Sequence, residues 1–367
     1  MTKSIKLFAN YVSGPNETNF NLWRSVFDLQ SSVVDDASMV FYLDYNPCED
    51  FKNGLNKLPN EALQHIRRHR SKILVKTEGF DIFGQLPEIF EHNNNIDVLP
   101  YWSMVTALAD KGIAEDQLHI VSSNFGYDDE IKMLASRKIR WRGAPYVVKA
   151  KFLYLNDFIN RYKDSNDHEK DPSALKYLYC SLANGRPTIH RYNFTKKLFD
   201  HGLQKYGKIS LVKMDGPDTE FNKSLPLVYD GKHNQWIGQN DETHLFHDNL
   251  IWISNETFLN QKNIRGYTEK TIKAIYHKSP FMINGCGRLL ELLKHDGFKT
   301  FDEVWDESYD QMPDIEDRQN CIIKSLQDLR DKSYEDLYQR TLPVVMHNYN
   351  HLMSIDPKQI LHNFLHR

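Results

Sequence analysis

No stretch of this chain approaches the ~20 consecutive apolar residues a helix needs to cross a bilayer, so a membrane-spanning helix is excluded. Cysteine is scarce: Cys48, Cys180, Cys286 and Cys321 are spread over 367 residues with no C-x-x-C pair. That pattern excludes a disulfide framework and predicts free, buried thiols in a reducing compartment. The opening segment MTKSIKLFANYVSG lacks the continuous apolar run of a secretory signal, which also predicts a cytoplasmic protein. With 17 glycines and 14 prolines, the chain is neither collagen-like nor of low complexity. An excess of one charge is missing too: 46 basic side chains face 49 acidic ones, and the net charge of -3 names no partner. The nucleophile elbow G-x-S-x-G, the P-loop and H-E-x-x-H are all absent, so three large enzyme classes lose their signatures.

What remains is a globular composition, 40% hydrophobic, 12% aromatic and 26% charged, with a mean hydropathy of -0.60. The length suits two domains of ~100–200 residues. Short β-branched or aromatic runs at 38–44, 72–76, 97–100 and 118–122 alternate with helical patterns at 60–69 and 128–136. Such alternation predicts an α/β domain with a largely parallel sheet. The polar stretch DSNDHEKD at 164–171, followed by Pro172, reads as a linker. A second alternation follows. Strands are predicted at 175–182, 209–213, 249–254 and 280–284, and helices at 268–278, at 288–295 and beyond 317, with Pro343 and Pro357 as breaks. The predicted organisation is an α/β lobe at 1–160, a second at 174–345 and a C-terminal helical segment at 346–367.

The densest chemical signal is YTEKTIKAIYHK, Tyr267–Lys278. Thr268 is a good N-cap, and helical spacing puts Lys270, Lys273 and His277 on one face, away from Ile272 and Ile275. A helix N-terminus beside two lysines suits a phosphate or pyrophosphate, and Glu269 suits ribose hydroxyls. An ordinary surface helix has the same pattern. The second signal is NGRPTIHR, Asn184–Arg191, directly after a strand. Ligands of open α/β sheets sit outside the carboxyl ends of strands, where Arg186 can clamp a diphosphate through two parallel hydrogen bonds; a structural salt bridge is the other use of Arg186 or Arg191. A third patch, Gly285-Cys286-Gly287-Arg288, reads equally well as a close strand-to-helix turn.

The run TEKTIKAIYHKSPFMINGCGRLLELLKHDGFKTFDEVWDESYD resembles the donor-binding half of GT-B-fold glycosyltransferases, most of all the fucosyltransferase-like group. That group has a T-E-K segment before a helix and an N-x-R-P-x-x-H-R-like loop, matched here by Asn184, Arg186, Pro187, His190 and Arg191. The resemblance covers roughly residues 175–330. It implies two Rossmann-like lobes facing across a cleft, a C-terminal segment crossing back to the first lobe, and a nucleotide-sugar donor as co-substrate with no cofactor. It further implies that Arg186 and Lys270 hold the donor diphosphate, with Arg191 and Lys273 nearby. Glu269 would take the ribose, Glu256 would stand at the same sheet edge after its strand, and Tyr267 and Thr268 would be near the nucleotide. No acceptor motif of the fucosyltransferases is present, so the sugar stays open. No strict D-x-D occurs either, so no metal is expected; Arg, Lys and a helix N-terminus can neutralise the leaving diphosphate instead.

Inverting sugar transfer needs a general base, expected from the first lobe. Glu78, in VKTEG at a strand end, leads; Asp44, Asp128 and Asp129 are alternatives. The acceptor is read from charge. Lys132–Lys151 carries Arg137, Arg140 and Arg142 among seven basic residues, no acid, and interleaved Trp141 and Tyr146. A second basic cluster comprises Arg67, Arg68, Arg70 and Lys72. Together they suit a polyanionic acceptor, either DNA, as in the GT-B enzymes of bacteriophages that glucosylate hydroxymethylated bases, or a phosphorylated or acidic glycan. The pairs His347/His351 and His362/His366 have the i,i+4 spacing of a zinc site, but no carboxylate or cysteine accompanies them, and they read as polar helix faces. From a different class, a catalytically silent nucleotide- or nucleic-acid-binding protein on the same scaffold would show the same motifs.

Overall fold

The computed structural model describes residues 6–9, 28–30, 39–45, 51–77, 100–122, 146–149, 170–183, 188–214, 216–228, 243–256 and 267–356. The chain divides into two compact units, Met1–Lys163 with Asp356–Arg367 and Asp164–Ile355.

The first unit is built on six parallel strands: β1 (Lys6–Ala9), β2 (Asp28–Gln30), β3 (Val40–Tyr45), β4 (Ile73–Thr77), β5 (Leu118–Ser122) and β6 (Tyr146–Lys149). Their order is β2-β1-β3-β4-β5-β6. Consecutive Ile73, Leu74 and Val75 are all buried, as expected of a parallel strand covered on both faces. Helices α1 (Phe51–Asn56), α2 (Asn60–His69) and α3 (Pro100–Asp110) accompany the sheet. In α2, Ala62, Leu63 and Ile66 turn inward while Arg67 and Arg68 stay in solvent. Within this second basic cluster, Arg70 is held by both oxygens of Asp116, at 2.7 and 2.6 Å. The strand expected at 97–100 is corrected at Pro100, which opens α3; a proline loses nothing at a first helical position, where the N–H has no partner anyway.

The second unit is built on four parallel strands, β7 (Tyr177–Ala183), β8 (Gly207–Leu211), β9 (Asn249–Asn255) and β10 (Phe281–Asn284). Their order is β10-β9-β7-β8. The chain therefore leaves β7 toward β8 on one side and returns to β9 on the other, so the order reverses between β7 and β9. Seven helices accompany the sheet among the described residues. They are α4 (Ile189–Asp200), α5 (Thr219–Lys223), α6 (Thr243–Phe246), α7 (Glu269–Tyr276), α8 (Leu289–His295), α9 (Ile315–Leu329) and α10 (Tyr334–Ser354). α10 continues through Pro343, where the sequence predicts a break. An internal proline costs ~3 kcal/mol, and burial of Leu337, Tyr338, Val345 and Leu352 on the same helix offsets it.

No helix among the described residues is long and apolar enough to cross a membrane.

Candidate functional site

In an open parallel sheet, the point where strand order reverses leaves a crevice outside the carboxyl ends of the two strands. Here those ends are Ala183 of β7 and Asn255 of β9. A buried polar chain ties them to their neighbours. Asn255 Nδ2 donates to Ser181 Oγ at 2.9 Å, and its Oδ1 accepts from Asn284 Nδ2 at 2.9 Å. Gln319, from α9, donates to Asn284 Oδ1 at 3.1 Å and to His190 O at 3.0 Å. Three strands and two helices are thus fixed in register by one connected network, whose worth lies in its being complete. Its sequence signal is visible in hindsight: LIWISN and FMIN are otherwise mostly apolar runs that both end in asparagine.

Glu256 follows β9 directly and is 0% exposed. Its Oε1 accepts from the Thr268 backbone N–H at 2.9 Å and from Thr271 Oγ1 at 2.8 Å; its Oε2 accepts from Thr268 Oγ1 at 2.5 Å. One buried carboxylate therefore pins the start of α7 to the sheet edge. Thr268 is the N-cap, its side chain accepting from the Lys270 N–H. Lys270 is half-buried, its Nζ 3.2 Å from Thr268 Oγ1. The side chain of Glu269 lies outside the described residues, as do Arg186, Glu78, Arg137, Arg140, Trp141, Arg142, His362 and His366.

The expected face of Lys270, Lys273 and His277 is not a solvent face. Lys273 is 3% exposed, because α7 packs against β9, β10 and α10. His277 stacks on Phe246 at 4.2 Å. Arg191 is buried in α4 and its Nη2 donates to Asn255 O at 2.9 Å, so part of its guanidinium braces the end of β9. Beside it, His190 Nε2 lies 3.2 Å from Thr188 Oγ1 and 3.3 Å from Glu256 O. Burial, aided by the Arg191 charge, lowers the His190 pKa to about 4, so the ring is neutral at pH 7 and adds no positive charge here. Tyr267 is buried, its hydroxyl donating to Asp296 Oδ2 at 2.8 Å.

The glycines of the third patch serve packing. A Cβ on Gly285 would come within 3.2 Å of Glu256 Cβ, and one on Gly287 within 3.2 Å of Asp310 O. His347 and His351 direct their Nε2 atoms to Gly297 O at 3.0 Å and Asp296 O at 2.8 Å, the carbonyls that follow α8. Among the described residues no group of three His, Cys, Asp or Glu side chains is placed to hold a metal ion.

No protein-family model matches the chain, and no curated protein matches it in sequence. Among solved structures it is similar to the glycotransferase of kitacinnamycin, at 9% identity over 98% of each chain, with a TM-score of 0.39. It is also similar to the glycosylation-associated protein (Gap123) complex of Streptococcus agalactiae, at 11% identity and a TM-score of 0.37. There the match covers 94% of this chain but 56% of the other, so this chain spans little more than half of that length. The protein is an α/β molecule with two parallel sheets, and both solved structures carry names from glycosylation.

Proposed function

We propose that the protein is a glycosyltransferase of the GT-B type that moves a sugar from a nucleotide-sugar donor to an acceptor hydroxyl without a metal ion. The observation that carries this reading is the reversal of strand order between β7 and β9, with the α7 N-terminus and Lys270 pinned beside it by Glu256. A departing nucleoside diphosphate needs positive charge where its own negative charge develops. Lys270 and the helix N-terminus are assigned to supply it, together with Arg186, which follows β7 in the sequence. Glu269 holds the ribose. Arg191 and Lys273, both buried, support the site from behind. Glu78 is assigned as the general base that deprotonates the acceptor hydroxyl.

The test is incubation with a panel of UDP-, GDP-, ADP-, CMP- and TDP-sugars, measuring free nucleotide. One donor is expected to be hydrolysed slowly even without acceptor. Binding of a nucleotide with no release for any donor would leave a silent binder. A charge-assisted contact to phosphate is worth ~1.5–3 kcal/mol, so Lys270→Ala is expected to weaken nucleotide binding roughly tenfold to a hundredfold. Unchanged affinity in titration calorimetry would remove Lys270 from the site.

For the acceptor we propose a polyanion, with a hydroxymethylated DNA base as the version most open to test. Basic residues that neutralise phosphates release counterions, so duplex affinity should fall with salt at a log–log slope of about -0.9 per phosphate. Replacing Arg140 and Arg142 by alanine is expected to flatten that slope by up to ~2 units while leaving nucleotide affinity alone. No mobility shift at low salt would leave a glycan as the acceptor.

A further inference from the structure

The starts of α4 and α7 are anchored to the same two residues at the end of β9. α4 is held through carbonyl oxygens: Arg191 Nη2 donates to Asn255 O at 2.9 Å, and His190 Nε2 lies 3.3 Å from Glu256 O. α7 is held through the Glu256 carboxylate, which accepts from the Thr268 N–H and from the hydroxyls of Thr268 and Thr271. Residues 255 and 256 therefore form a joint between the two helices. The joint is buried throughout, with His190 7% exposed, Asn255 2% and Glu256 0%.

A neutral histidine has one N–H, and a carbonyl oxygen can only accept, so the contact with Glu256 puts that hydrogen on Nε2. Thr188 Oγ1 lies 3.2 Å from the same nitrogen. Thr188 is the N-cap of α4, yet its side chain makes no hydrogen bond to the first N–H groups of the helix; its oxygen faces His190 instead.

From His190 the contacts run on to Lys270. The residue whose carbonyl His190 meets also takes the Thr268 hydroxyl on its Oε2 at 2.5 Å, and Thr268 Oγ1 is 3.2 Å from Lys270 Nζ. A contiguous buried chain of this kind can couple its two ends energetically, and a double-mutant cycle measures the coupling. We propose that His190 is a positioning residue: through Glu256 it fixes the start of α4 relative to Lys270, and so sets how tightly the nucleotide is held. His190 takes this role on the reading that Lys270 contacts the donor diphosphate, and it touches no ligand itself.

The test is a double-mutant cycle on the full chain, read by titration calorimetry with whichever of UDP, GDP, ADP, TDP and CMP binds tightest. Thermal melts fix a temperature at which every variant is folded, so that lost stability is not counted as lost affinity. His190→Phe keeps a ring and removes the N–H, and is expected to weaken the nucleotide roughly threefold to tenfold. His190→Gln, whose amide nitrogen can take the place of Nε2, is expected to bind within about twofold of the parent. In the Lys270→Ala background the loss from His190→Phe is expected to shrink below about twofold, because the group it positions is gone. If the phenylalanine variant does not fold, His190→Asn replaces it, an amide one methylene shorter than glutamine. A folded phenylalanine or asparagine variant that binds like its parent overturns the proposal. So does an equal loss in both backgrounds, which would make His190 independent of Lys270, and so does a glutamine variant as weak as the phenylalanine one. Failure of the donor reading shows separately: Lys270→Ala alone then leaves affinity unchanged, and this role of His190 falls with it.

Discussion

Replacing Glu256 with alanine is expected to lower the stability of the second unit by about 3–5 kcal/mol, among the larger effects a single substitution here can have. The carboxylate is wholly buried and satisfies three donors, the Thr268 N–H and the hydroxyls of Thr268 and Thr271. An unsatisfied buried donor costs ~1–3 kcal/mol; the hydroxyls can turn toward other acceptors, which keeps the sum below its ceiling. In a unit of this size the loss corresponds to a fall in melting temperature on the order of 10 °C. Glu256→Gln separates the hydrogen bonds from the bulk. The amide keeps one oxygen for the Thr268 N–H, and its NH₂ faces a hydroxyl that can rotate to accept, so about 1–2 kcal/mol is expected. Thermal melts of the two variants decide it. If alanine costs no more than glutamine, the start of α7 is held by something other than Glu256. The same pair tests the proposed donor site: if Lys270 holds the nucleotide, affinity should collapse in the alanine variant and survive in the glutamine one, since Glu256 fixes Thr268 and the start of α7.

That role was not legible in the sequence, although its ingredients were. The T-E-K segment announced a helix, and Thr268 does cap it, because an N-cap is a local arrangement within a few residues. Strand positions were similarly local. The expected 249–254 became Asn249–Asn255, and 72–76 became Ile73–Thr77, because a run of buried apolar residues has few other destinations. What failed was tertiary. Glu256 reaches its partners across 12 to 15 residues, and Gln319 reaches His190 across 129. No periodicity encodes such a distance. Lys273 looked like part of a solvent-facing basic stripe, yet the packing of α7 between sheet and α10 buries it. Pro343 failed in the opposite sense: a correct local penalty was outweighed by the burial of a 21-residue helix. Strand β6 fell inside a segment read for its charge, where Tyr146, Val147 and Val148 were the quieter signal.

Stability should also rise, unusually, as the solution is made alkaline from neutrality, and Lys170 is the reason. The residue is 7% exposed, and its Nζ donates to two uncharged oxygens, Leu250 O at 3.3 Å and Ser279 Oγ at 3.2 Å. The ring of Tyr338, with its centroid 5.6 Å away, offers only a weak third contact. Burial therefore dominates and lowers the pKa of the amine to about 7. In the unfolded chain the amine titrates near ~10.4. Between these values the unfolded state carries a proton that the folded state has released, so unfolding takes up protons and stability increases with pH. At ~1.4 kcal/mol per pH unit, the gain from pH 7 to about 10 is on the order of 4 kcal/mol. Above that range the buried tyrosines Tyr179, Tyr267 and Tyr309 reverse the trend. Burial raises their pKa values, so the unfolded chain ionises first and stability falls. Lys170→Met isolates the effect, because every other group titrates equally in both proteins. The difference between their unfolding free energies in urea should shift by on the order of 4 kcal/mol in favour of the lysine protein from pH 7 to about 10. Near pH 7 the methionine variant should equal or exceed its parent, since a buried amine that has lost its water is replaced by an apolar chain of similar length. A difference that stays constant across the window would mean that the Lys170 ammonium keeps its proton in the fold, held by contacts stronger than two neutral oxygens.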